Sequence, residues 1–246
     1  MILTLEPPRR GSTGDRLLRA LEWRGHAIGD AGVALHAAEP GAPAARPTLF
    51  LCPVPDGPGA ELRAWLGERA PASDARLLVV TRLGTHPDAR NSRLRDCWAL
   101  EEAARASELP VLILRLGPLL GPGSPLWLQL RSEPRLPRRG DQLLNPVAEA
   151  DVVETLDRAL SGRAEWRGWY EVAGPEVWSL AELCALAGES GPLLAPGAGA
   201  WEPPLEEMEE HRLAEAGPWL AHFGLSVRPL AEQARAWRTV EEGSTV

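Results

Sequence analysis

Three continuous apolar runs, at residues 48–54 (TLFLCPV), 76–81 (RLLVVT) and 110–116 (PVLILRL), limit what this chain can become. None alternates polar with apolar residues, so each is expected to be buried on both faces, as the central strands of a parallel sheet are. Parallel neighbours need a crossover of a dozen or more residues, usually a helix. The intervening sequence supplies them, with helices expected at about 59–69 and 92–107. A short apolar strand at 2–5 precedes an amphipathic helix at about 15–24, whose apolar side carries Leu17, Leu18 and Leu21. A weak strand is expected at 33–37 and a Pro/Ala-rich connector at 41–46. Strands alternating with helices at this spacing predict an α/β fold, a doubly wound parallel sheet that binds ligands at the carboxyl ends of its strands.

The texture changes after Gly117. Glycine and proline become frequent (GPLLGPGSP), and a short segment follows at 126–133. A strand is expected at 142–147, a helix at 150–161, a strand at 169–173 and a helix at 179–188. Ser179 and Glu182 have the spacing of a capping box for that last helix. Residues 190–204 (SGPLLAPGAGAWEPP) form a connector, and helices are expected at about 205–216 and 229–240. Residues 1–116 are therefore read as the core. Residues 117–246 are read as a small C-terminal α/β region intertwined with it.

Composition excludes several functions. The net charge of −8 argues against a nucleic-acid binder, because phosphate contacts need clustered cations. Arg135, Arg138 and Arg139 form the one notable basic cluster and read as a solvated loop. Cys52, Cys97 and Cys184 show no metal-ligand spacing, so no metal is expected. The opening residues MILTLEPPRR contain no apolar run of signal-peptide length, and no stretch reaches 18 apolar residues. No membrane partner is expected, and the reading is a cytoplasmic protein.

A series of short patterns, in order along nearly the whole chain, carries a family resemblance. The first strand and its Gly-containing turn run into residues 17–28 (LLRALEWRGHAI). The strand at 76–81 ends in Thr81. Residues 101–115 read EEAARASELPVLILR, and Arg115-x-Gly117-Pro118 and Gly121-Pro122-Gly123 follow. Pro146-Val147 with Asp151-Val152, then Tyr170-Glu-Val-Ala-Gly-Pro, then Ser179-Leu-Ala-Glu-Leu complete the series. The chain resembles the extended and atypical short-chain dehydrogenases/reductases, the epimerase- and dehydratase-like members with a Rossmann-like fold. The resemblance implies an NAD or NADP cofactor, a small-molecule or nucleotide ligand, and a substrate-type region at the C-terminus. It also implies a homodimer paired through the helices at 59–69 and 92–107.

The chain departs from that family in three places. The family's phosphate turn, Gly-x-x-Gly-x-x-Gly, lets the backbone approach a pyrophosphate at a helix N-terminus. Here the last two glycines fall on Gly11 and Gly14 and the first on Pro8, with Arg9 and Arg10 beside them. Proline fixes φ near −65° and removes an N–H, so it cannot copy a glycine that needs positive φ. Second, only about twenty residues separate His26 from the strand at 48, too few for the usual βαβα run, so at least one βα unit is reduced or missing. Asp30 is the nearby acidic residue for a ribose, and a turn role fits it better.

The third departure concerns proton transfer. The family uses a tyrosine whose proton is loosened by a lysine one helical turn on. This chain contains no lysine: all 26 basic residues other than histidine are arginine, and Tyr170 is its one tyrosine. The tyrosine and lysine positions fall on Arg93 and Cys97. Arginine stays protonated and cannot act as a base.

The remaining candidates are few. Thr81 sits where the family hydrogen-bonds substrate. His86 is a substitute acid or base, and Cys97, near Arg93 and Arg95, is a candidate thiol. Arg10, Gly11, Gly14 and Thr81 are the candidate cofactor contacts. Arg115, Gly117 and Asn145 are candidates for a substrate cleft, although Arg115 equally fits a pairing with an acidic neighbour. Two readings result. One is a divergent, non-catalytic ligand-binding, regulatory or scaffolding module with weak or absent NAD(P) binding. The other is an active NAD(P)-dependent reductase or epimerase that uses another acid/base such as His86.

Overall fold

The computed structural model describes residues 2–4, 10–30, 48–51, 75–131, 136–188, 208 and 210–243. The expectations for 33–37, 41–46, 59–69 and 190–204, and for Pro8, Arg9, Cys52 and Arg135, lie outside these residues. The chain divides into two compact units. Unit 1 comprises Met1–Arg115 and Leu156–Tyr170, and unit 2 comprises Leu116–Thr155 and Glu171–Val246.

Unit 1 is built on a six-stranded sheet. Its strands are β1 (Ile2–Thr4), β2 (Ile28–Asp30), β3 (Thr48–Leu51), β4 (Arg76–Arg82), β5 (Val111–Leu116) and β9 (Trp169–Val172), in the order β2-β1-β3-β4-β5-β9. The pairs β1–β2, β1–β3 and β3–β4 are parallel. The strand order reverses at β1, so a switch point lies between β1 and β3 at their carboxyl ends, where such sheets place ligands. β4 shows why the apolar runs predict this fold: its five inner residues are all buried. Helix α2 (Ser92–Ala106) packs its Leu100 and Ala104 on Leu77 and Val79 of β4 and Ile113 of β5.

β2 is one element the apolar runs do not announce. It is three residues long and contains Asp30, placed above in a turn, and it forms because Ile28 pairs with Ile2 of β1. Helix α1 (Thr13–Trp23) begins two residues earlier than the apolar periodicity indicates, because the Ser12 hydroxyl accepts the Asp15 N–H at 3.3 Å. Gly14 therefore lies inside the helix and is buried.

Unit 2 has a separate core. It contains β6 (Leu119–Leu120), α3 (Pro125–Leu130), β7 (Leu143–Leu144), β8 (Val147–Ala148), β10 (Trp178–Ser179), α5 (Leu180–Ala187), α6 (Ala216–Phe223) and α7 (Leu230–Gly243). Helix α4 (Glu149–Leu160) starts in this unit and ends in unit 1. Trp127 and Trp237 meet edge to face at 5.0 Å in the middle of the core, a contact worth about 0.5–1.5 kcal/mol beyond the area it buries. The Ser179–Glu182 capping box forms as its spacing predicts.

Two expected elements are corrected here. The strand at 142–147 is two strands: β7 pairs antiparallel with β10, and β8 pairs parallel with β6. Pro146, which has no N–H for a ladder, separates them. Of the helix expected at 205–216, residues 205–207 and 209 lie outside the described residues, and a helix is found at Ala216–Phe223. Residues 210–215 are non-helical in this structure, because β7 and Asn145 take their backbone groups: Arg212 bridges to Leu144, and the Ala214 N–H donates to the Asn145 Oδ1.

α7 is fastened at its start by two distant carboxylates. Glu176 Oε2 accepts the Leu230 N–H at 2.7 Å, and Gln233 Nε2 donates to Asp151 Oδ2 at 3.0 Å. Burial pushes the Asp151 carboxyl above its ordinary value, against the opposing pull of the Gln233 bond and Arg228. The folded protein thus takes up this proton more readily than the unfolded chain. The stability contributed is present below the ordinary carboxylate value, about 3.9, and is lost as pH rises through the raised one. Asp151→Asn keeps the accepting oxygen and removes the charge. Its thermal midpoint should exceed the wild-type value at pH 7 and converge with it at low pH. A lower midpoint at pH 7 would contradict the burial account.

Candidate functional site

Two of the sequence candidates in unit 1 follow the course of parallel strands: Gly11 comes after β1, and Thr81 lies near the carboxyl end of β4. Beyond β1, Gly11 adopts φ +81°, a conformation that favours glycine, and its N–H points back at the first turn of α1. The donor is already used. Asp15 Oδ2 accepts the Gly11 N–H at 2.7 Å, and Asp15 Oδ1 accepts from Arg19 Nε at 3.1 Å. Partial burial works to raise the Asp15 carboxyl. The Gly11 bond, Arg19 and nearby Arg10 outweigh it and hold the group below the ordinary carboxylate range, so it is ionised at neutral pH. A carboxylate near the helix N-terminus is stabilised by the helix dipole, and it takes up a donor that a phosphate oxygen would use. Asp15 was read in the sequence only as the start of a helix. An acidic residue directly after the last turn glycine was the available signal.

Thr81, at the end of β4, is buried and faces α2. Its hydroxyl donates to Glu101 Oε1 at 2.7 Å. Glu101 is fully buried and is also the acceptor for Arg115: Nε donates to Oε1 at 2.9 Å and Nη2 to Oε2 at 2.6 Å. Arg105 Nη2, one helical turn along α2, adds a third donor at 3.0 Å. The Arg115 guanidinium lies 4.5 Å from the Trp169 ring and 5.6 Å from that of Trp98. Charge, hydrogen bonds and cation–π contacts therefore lock Thr81, Glu101 and Arg115 together. Arg115 pairs with an acidic neighbour, as the sequence allowed, and that neighbour is Glu101. Its spacing carried the signal, because Glu101 falls on the same helix face as Leu94, Cys97 and Ala104, which are all buried. A carboxylate on a buried face requires a cation.

The other proton-transfer candidates are not brought to Thr81. Cys97 is buried on the sheet-facing side of α2. Arg95 is turned away, its Nη1 donating to the Ala89 and Arg90 carbonyls. His86 is exposed in the loop after β4, its ring centred 6.0 Å from Trp98. Its Nδ1 accepts the Asp88 N–H at 3.1 Å. The same nitrogen lies 3.9 Å from Asp88 Oδ2. Burial raises the Tyr170 hydroxyl above its ordinary value; Arg167 opposes this and Glu165 reinforces it. The tyrosine thus holds its proton more tightly than usual, the reverse of what a catalytic tyrosine needs.

In unit 2, Gly117 and Asn145 have packing partners. A Cβ at Gly117 would lie 2.6 Å from the Asn145 carbonyl oxygen, so the backbones meet there only because the residue is glycine. The Asn145 side chain donates to the Gly174 and Glu176 carbonyls and accepts from Ala214. Among the described residues, no group of three His, Cys, Asp or Glu side chains is placed to hold a metal ion. No described helix is long and apolar enough to cross a membrane.

No protein-family profile matches the sequence, and no curated protein matches it. Solved structures do. The chain is similar to MoeE5, solved in complex with UDP-glucose and NAD, at 16% identity over 98% of this chain and 99% of that one, with a TM-score of 0.65. It is similar to TunA, an NAD-dependent NDP-hexosamine 5,6-dehydratase involved in tunicamycin biosynthesis, at 16% identity over 97% of each chain, with a TM-score of 0.64. It is also similar to the UDP-glucose 4-epimerase of Thermotoga maritima, at 11% identity over 100% of this chain and 99% of that one, with a TM-score of 0.61. The fold is therefore the Rossmann fold of the NAD-dependent epimerases and dehydratases. The fold is the one the sequence patterns imply, and the three neighbours named here are described as an NAD-bound protein, an NAD-dependent dehydratase and an epimerase.

The buried pair makes a direct prediction. Glu101→Ala leaves the Arg115 guanidinium buried without its counter-charge and should lower stability by about 3–5 kcal/mol in urea unfolding. Replacing both partners, Glu101→Leu with Arg115→Met, should cost less than the single change. A double variant weaker than the single one would refute the account.

Proposed function

We propose that this protein is a non-catalytic member of the short-chain dehydrogenase/reductase fold class, acting as a ligand-binding, regulatory or scaffolding module with weak or absent NAD(P) binding. The observation that carries this reading is the Thr81 hydroxyl, which donates into the buried Glu101–Arg115 pair. No proton acceptor besides Glu101 stands against it among the described contacts, and that carboxylate is neutralised by two arginines. Arg93 and Cys97 in place of tyrosine and lysine support the same conclusion.

The ligand in this reading is a nucleotide or another small molecule, with NAD or NADP the cofactor type that the fold's relatives suggest. The Asp15 carboxylate weakens the pyrophosphate contact without abolishing it, because Arg10 and Arg19 can carry part of the charge. A cytoplasmic location and a homodimer formed through α2 and residues 59–69 complete the proposal. A second reading, an NAD(P)-dependent epimerase or reductase, is favoured by one observation: the fold match to such enzymes extends over almost the full length of both chains.

Titration calorimetry with NADH and NADPH separates the two. The first reading expects a Kd no tighter than about 1 mM, or about 4 kcal/mol of binding free energy, and no turnover of nucleotide sugars. Asp15→Asn should tighten the Kd about tenfold, equivalent to about 1.4 kcal/mol. Micromolar binding by the wild type, with turnover lost in His86→Ala, establishes the enzyme instead.

A further inference from the structure

Residues 210–215 run beside β7 as a strap over the unit 2 core. The Arg212 N–H donates to the Leu143 carbonyl at 2.9 Å, and the Asn145 N–H donates to the Arg212 carbonyl at 3.0 Å. The Ala214 N–H donates to Asn145 Oδ1 at 3.0 Å. One further bond has a different character: the Leu143 N–H donates to Nδ1 of His211 at 2.9 Å. Every other acceptor in this series is an amide or peptide oxygen, which titration does not touch in the ordinary pH range. An imidazole nitrogen accepts only while it is unprotonated, and imidazoles titrate between pH 5 and 8.

We propose that His211 is a pH-sensitive clasp that fastens the strap to β7 when neutral and lets go when protonated. Protonation converts Nδ1 from acceptor to donor and sets its N–H against the Leu143 N–H. The two donors repel, and the Leu143 amide loses its partner. The strap then separates at its Arg212 end, while Ala214 stays tied to Asn145. Bridged to Arg212 at this end is Leu144, fully buried in the apolar core that also holds Met208 just upstream in the chain. The charged groups carried by the packed segments are Glu210, Arg212 and Glu215 on the strap, Asp141 before β7, and Glu182 beyond β10. Glu210 and Arg212 pair with each other at 3.5 Å, and the Glu182 carboxylate is taken up by Ser179. This inference does not depend on the proposed function. It concerns unit 2 and holds for an enzyme and a non-enzyme alike.

Amide exchange of the full chain at pH 5.0 and 7.5, corrected for the intrinsic pH dependence of exchange, tests it. The Leu143 and Arg212 amides should lose about tenfold or more of their protection at the lower pH, about 1.4 kcal/mol of local opening. The Ile113 amide, bonded to Gly168 in unit 1, serves as the control and should keep its protection. In His211→Asn the side-chain oxygen takes the place of Nδ1 at every pH, so the strap should stay protected throughout. Imidazole nitrogen NMR provides a readout without a variant, and at pH 7.5 it should show the His211 tautomer that carries its proton on Nε2. Equal protection of the wild type at both pH values, the same loss in His211→Asn, or the opposite tautomer would each overturn the proposal.

Discussion

The Glu101 carboxylate, fully buried against β4 and β5, constrains more of this molecule than any other group. Withdrawing it from water carries a large desolvation cost, which only close cations and donors offset. Arg115 supplies two hydrogen bonds from β5, Arg105 one from the next turn of α2, and Thr81 one from the end of β4. The helix, the two central strands and the Trp169 ring on β9 are consequently fixed to one another through a single polar cluster. Its members cannot change singly without leaving a charge or a donor unpaired. The same cluster fixes the Thr81 hydroxyl as a donor to Glu101.

A similar substitution of internal for external partners occurs at the first turn of α1. A phosphate-binding turn works by keeping backbone N–H groups unfilled and a helix end uncompensated. Here the chain fills the position with its own Asp15. At both places polar groups at the ends of strands find partners inside the protein. The absence of lysine belongs to this pattern. An arginine suits a permanent, forked ion pair such as Arg115–Glu101, and a titrating ammonium suits proton transfer.

The parts of the fold that the sequence made legible are those where local pattern and burial agree. The apolar runs at 76–81 and 110–116 are central strands, and the Ser179–Glu182 box caps α5. Where tertiary bonds compete with local preference, the sequence misled. Residues 210–215 carry helix-forming residues, yet β7 and Asn145 take their backbone groups. β2 has too few apolar residues to be noticed and exists through its pairing with β1. The candidate site divides the same way. Thr81 and Arg115 stood out by position along the strands. Glu101 was hidden in a run of acidic and small residues, because its partners come from elements 14 and 20 residues away.

The division of the chain into units has a consequence for how it is made. The path crosses between the units after Arg115, after Thr155 and after Tyr170. β9, which borders β5 in the unit 1 sheet, therefore leaves the ribosome only after the first stretch of unit 2 has been synthesised. Until residue 172 emerges, β5 is an open edge, carrying the Arg115 guanidinium without the Trp169 ring that stacks on it. A nascent chain with an unpaired apolar edge is a substrate for chaperones and a risk for aggregation. No cut at a single point yields either unit intact. The protein is thus a single piece for synthesis and for inheritance, even though its packing is that of two.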